Sequence, residues 1–112
     1  MTWAPFDSGQ TLGRVGTENG VILREEEYGG SARIALEQGC RASPFAITCG
    51  VYGWMVHTRF FAALEVAESE YERMKVELAR IATTIPLTGD PDLETKVAAV
   101  SLELRAFVTH FP

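Results

Sequence analysis

The hydrophobic period of the chain changes near residue 60, and that change sets the class of fold. Phe60, Leu64, Ala67, Tyr71, Met74, Leu78, Ile81 and Ile85 lie 4, 3, 4, 3, 4, 3 and 4 residues apart. This is one continuous face of an α-helix. Its charges follow the helix dipole, with Glu65, Glu68, Glu70 and Glu72 early and Arg73, Lys75 and Arg80 late. Pro86 ends it, because proline lacks the N–H that a helix needs. Asp90-Pro91 then reads as a helix start, an N-cap acid followed by proline at the first position. Leu93, Val97, Val100, Leu104, Phe107 and Phe111 repeat the pattern at 4, 3, 4, 3 and 4. The short link between these helices makes them antiparallel neighbours.

Before residue 60 the period is two. In "ARIALEQ", Ala32, Ile34 and Leu36 alternate with Arg33, Ala35 and Glu37. Asn19-Gly20 is a strong hairpin signal, expected to join a strand near residues 12–17 to one near 21–27. "YGGS" at 28–31 and "GCRASP" at 39–44 are loop chemistry. "REEE" at Arg24–Glu27 reads as an edge strand that discourages aggregation, with Ile22, Arg24 and Glu26 on one face. The expected fold is therefore α+β. A roughly five-stranded antiparallel meander spans residues ~12–60, and an antiparallel pair of C-terminal helices packs on one sheet face. The whole chain, 1–112, reads as one domain. Residues 1–10 form an irregular arm, 11–60 the meander and 61–112 the helical hairpin.

Residues 42–58 carry no Asp, Glu, Lys or Arg. A membrane helix needs roughly 20 strongly apolar residues, and this run is shorter and holds Pro44, Gly50, Gly53 and His57. It reads instead as a hairpin with a two-residue turn at Tyr52-Gly53. That register pairs Val51 with Trp54, Cys49 with Val56, Ile47 with Thr58 and Phe45 with Phe60 on the buried face. Thr48, His57 and Arg59 fall on the polar face, which Glu25, Glu27, Arg33 and Glu37 share if their strands lie nearby. A three-residue turn would change this pairing.

The chain has a net charge of −5 and most of the excess acid lies in its second half. With no basic block, it is a poor partner for nucleic acid or for an anionic membrane surface. The two cysteines, the missing secretory leader and the composition point to the cytoplasm. Cys40, Cys49, His57 and His110 match no metal-ligand spacing, and no phosphate loop or catalytic motif is present, so neither metal nor cofactor is expected. Cys40 has a neighbouring cation, Arg41, that lowers a thiol pKa and favours reactivity.

Two functions follow as expectations. The first is a small acidic interaction or regulatory protein, not an enzyme, acting through a protein partner or as a homodimer. Its basis is a thin second stripe on the last helix, Ala98, Leu102 and Ala106, roughly opposite the main seam. Those residues are either exposed small side chains or a face covered by the sheet or another subunit. The alternative is a small-molecule-binding protein or enzyme on the polar sheet face. There His57 would act as acid/base, Arg59 as anion clamp and Thr48 as an orienting hydroxyl.

Overall fold

Each strand pairs with its neighbour in sequence. In a computed structural model describing residues 1–112, β1 (Trp3–Pro5), β2 (Val21–Tyr28), β3 (Ala32–Gln38), β4 (Phe45–Val51) and β5 (Met55–Phe61) form one antiparallel sheet in the order β1-β2-β3-β4-β5. Two helices follow, α1 (Leu64–Ala82) and α2 (Leu93–His110). They are antiparallel: Arg73 meets His110 near one end, and Arg80 meets Glu103 a turn or two along. Neither helix is long and apolar enough to cross a membrane.

The helices cover one face of the sheet. Ala32, Ile34 and Leu36 of β3 and Ile47, Cys49 and Val51 of β4 meet Ala67, Tyr71, Met74, Leu78 and Ile81 of α1. Val100, Leu104, Phe107 and Phe111 complete the same core from α2 and the residue after it. The α-helical period thus selects the residues that are buried. Its arithmetic overruns the elements at both ends of α1, however. Phe60 belongs to β5, and Ile85 lies in the loop after Thr83 and Thr84.

The five-stranded meander begins earlier than the sequence pattern implies. Its first strand is Trp3–Pro5, in the expected irregular arm, paired to β2 at Trp3↔Tyr28 and Pro5↔Glu26. Residues 12–17 make no strand, only an isolated bridge, Val15↔Val21. They run instead as a strap beside the sheet. β2 is therefore not an edge, and a bulge between Ile22 and Arg24 puts Ile22 on the open face while Arg24 and Glu26 face the helices. There Glu26 accepts from Tyr71 and Lys75 of α1 at 3.0 and 2.8 Å, and Arg24 bridges to Glu72 at 2.8 Å.

The second helix also starts late. The Asp90 carboxylate accepts from the Leu87 N–H at 2.9 Å, so it ties the loop rather than capping a helix. The helix begins after Asp92, which sits at φ 56°.

These ion pairs make an acid-pH prediction. Burial alone would raise the Glu26 carboxyl, but Lys75, Tyr71 and Arg24 outweigh it and hold it below its ordinary 4.5. Burial opposes and Arg59 and Arg73 likewise lower Glu70. Both groups bind their protons less tightly folded than unfolded. Their stabilisation is complete above the unfolded value and is lost as pH falls through the lowered folded ones. The urea midpoint should stay flat from pH 8 down to about 5 and fall below that. Neutralising both by Glu26→Gln and Glu70→Gln should flatten the acid limb.

Candidate binding cleft on the open sheet face

The β4–β5 turn decides what the open face carries. The Trp54 N–H donates to the Val51 carbonyl at 2.9 Å, and Gly53 takes φ 80°, a conformation glycine adopts without steric cost. The order Tyr-Gly puts the positive φ second. In a two-residue hairpin that geometry splays the strands, and Trp54 enters as a third loop residue. The pairs become Val51↔Met55, Cys49↔His57, Ile47↔Arg59 and Phe45↔Phe61. This overturns the two-residue register. A shift of one residue moves every side chain of β5 to the other face.

His57 and Arg59 consequently lie under the helices, and Thr48 alone of the three remains on the open face. The two displaced residues serve the end of α2, whose last carbonyls have no helical partner. The His57 Nε2 lies 2.5 Å from the Phe111 carbonyl oxygen, and the Arg59 Nε donates to the Pro112 oxygen at 3.1 Å. Arg59 also pairs with Glu70 at 3.0 Å. The acid/base and anion-clamp roles expected of these two residues do not survive that placement.

On the open face, three rows run across the sheet. Glu25, Ala35, Thr48 and Thr58 form one, with the two threonine hydroxyls 3.3 Å apart. Glu27, Arg33, Gly50 and Val56 form the next. Ile22, Glu37, Ala46 and Phe60 form the third. The expected sharing of this face by Glu25, Glu27, Arg33 and Glu37 therefore holds. The centre is small: Ala35, Thr48 and Gly50 make a low floor.

The strap turns that floor into a cleft of about 860 Å³. Thr11, Arg14, Val15, Gly16 and Thr17 wall one side, while Tyr52, Trp54 and Val56 close the other. Glu37 fixes the strap. Only 1% exposed, it accepts from the Glu18 N–H at 3.2 Å, from the Gly20 N–H at 3.1 Å and from the Thr17 hydroxyl at 3.5 Å. A side chain at Gly16 would displace this clamp, since a Cβ there would stand 2.4 Å from the Glu37 carboxyl carbon.

Glu25 and Arg33 form the polar end of the cleft. The Arg33 Nε and Nη2 both reach the Glu25 Oε2, at 2.7 and 2.5 Å. The Phe6 ring lies against the guanidinium, 3.5 Å from its carbon. Glu25 Oε1 and Thr11 Oγ1, both buried, have no hydrogen-bond partner.

No protein-family model, curated protein or solved structure matches this chain. The site must be read from its own chemistry.

Pattern reading places Glu25, Arg33, Ala35, Thr48 and Gly50 on the open face but misses the strap, which has no period. Its signal in the sequence is weak: Gly13 and Gly16 among Thr11 and Thr17.

The remaining candidates lie elsewhere. Ala98, Leu102 and Ala106 are exposed on α2, covered by neither the sheet nor α1. Cys49 is in the core, where burial pushes its thiol up to about 12. Cys40 is not activated by Arg41: burial, Glu37 and Glu18 raise its thiol instead.

Proposed function

We propose that this protein binds a small molecule on the open face of its sheet. The supporting observation is the cleft of about 860 Å³, within the size range of sites that enclose drug-sized ligands. Apolar walls, a flat floor and a few convergent polar groups are the usual composition of such sites. The reading favours binding over catalysis. Neither histidine lines the cleft, Glu37 is committed to the strap backbone and Glu25 to Arg33. The two free thiols suit a reducing, cytoplasmic setting.

A fragment screen by thermal shift, followed by NMR mapping of the hits, tests this reading. Ala35→Trp fills the floor and should abolish binding of cleft hits while circular dichroism stays unchanged. Hits that bind this variant as tightly as wild type would place the site elsewhere.

A second reading, self-association through α2, has one observation in its favour. Leu102 is 64% exposed between exposed Ala98 and Ala106. A homodimer through this stripe predicts a wild-type dimer at micromolar concentration by sedimentation, and a monomer for Leu102→Glu. A monomeric wild type rules it out.

A further inference from the structure

We infer that the ligand is neutral and flat and carries an N–H donor on one edge, as in a lactam or a carboxamide. The Glu25–Arg33 pair reads that edge. This rests on the cleft being a binding site and specifies what enters it.

The first support is the unequal use of the Glu25 carboxylate. Its side chain is 4% exposed, and Arg33 occupies Oε2 with two N–H groups. Oε1 has no donor within the protein and is closed to bulk water. A carboxylate accepts on both oxygens. A ligand N–H that reaches Oε1 therefore meets an acceptor that nothing else has claimed. Thr11 Oγ1, also unpaired and buried, lies on the same lining.

Arg33 holds that carboxylate in place. Its Nε and Nη2 reach the Glu25 Oε2, and Phe6 lies against the plane of the guanidinium. The unclaimed oxygen is thus a fixed acceptor, and it matches a ligand N–H rather than a second acceptor.

Charge selects the neutral form. The charged residues that line the cleft are Arg14, Arg33, Glu25 and Glu37, two of each sign. These charges balance, so neither an ammonium nor a carboxylate finds a net attraction there to offset the loss of its water. The floor selects the shape. Ala35, Thr48 and Gly50 are adjacent on β3 and β4, so a flat ring can lie on them with its polar edge toward β2 and its apolar edge toward Val56. Glu37 clamps the strap at residues 17–20, so it is the Thr11 end that must shift for the polar edge to enter.

Two isosteres isolate the N–H. 2-Quinolinone, a lactam, and coumarin, the matching lactone, differ by N–H against ring oxygen. Each is titrated into ¹⁵N-labelled full-length protein. The lactam should shift the amides of Ala35, Thr48 and Gly50 and bind at least about tenfold more tightly than the lactone, since a hydrogen bond to a charged group is lost. 2-Naphthoate and 2-naphthylmethylamine, an anion and a cation of similar size, should bind more weakly than the lactam. Glu25→Gln should remove the lactam preference, because its carbonyl oxygen must serve Arg33 and its NH₂ then opposes the lactam N–H. Equal binding of lactam and lactone in the cleft overturns the inference and leaves the cleft a site. Tighter binding of either charged probe overturns the neutral assignment. If no probe moves the cleft amides, the binding reading falls and the inference with it. The wild-type comparison decides even if the variant does not fold.

Discussion

Arg59→Ala should destabilise the protein by about 2–4 kcal/mol, lowering the thermal midpoint by about 10 °C or more. Arg59 is 9% exposed and its guanidinium holds three partners at once. It donates to the Pro112 oxygen beyond α2, to Glu70 of α1 and to the Met74 sulfur, at 3.1, 3.0 and 3.4 Å. Truncation takes the donor from the Pro112 oxygen, leaves Glu70 one partner short and opens a void between β5 and both helices. Glu70 keeps its pair with Arg73, which limits the loss. Arg59→Met separates the terms. It restores the volume but not the hydrogen bonds, and it should cost less than half as much. Urea denaturation of the three proteins measures this. Equal stability of wild type and Arg59→Ala would mean that α2 is docked by its apolar seam alone.

Glu37→Ala should cost about as much, roughly 2–4 kcal/mol, by a different route. The side chain is a clamp between β3 and the strap, and removing it strips the acceptor from the N–H groups of Glu18 and Gly20. Unmet buried donors cost about 1–3 kcal/mol each. The loss should also be local. Amide exchange of residues 14–20 should speed up well before that of β3 and β4, because the sheet pairing beneath does not depend on the clamp. Unchanged protection in the strap would refute the clamp. The same variant should weaken every ligand of the cleft, since the strap is one of its walls.

The helices were legible because most core positions obey one rule, although Val97 on the α2 stripe is 37% exposed. Tyr71, Met74, Leu78 and Ile81, and Val100, Leu104, Phe107 and Phe111, are all buried where the period puts them. The central strands were legible for the same reason, with Ile34, Leu36, Ile47 and Cys49 facing the helices. Errors arose where a period has nothing to act on. Trp3–Pro5 is too short to show alternation. The β4–β5 register turned on one loop residue, Trp54. The two-residue reading also looked better by composition, since it kept His57 and Arg59 out of the core. In the fold those residues supply donors to carbonyls more than fifty positions away in sequence. No local pattern records that need. Of the site, Thr48, Glu25, Arg33 and Glu37 were on the expected face, and the strap that makes a cleft of it was not foreseen.

The unbroken order of the sheet also bears on how the molecule assembles. Every strand beyond β2 joins the one just before it, so each of these hairpins closes a loop of a few residues at small entropic cost. Such a ladder grows by local steps and belongs with the quicker β-rich topologies. The slow contacts are then at the two extremes of the chain: β1, which reaches across the strap to β2, and residues 111–112, which return to β5. A kinetic study should find the central hairpins formed in the rate-limiting state and both chain ends still loose.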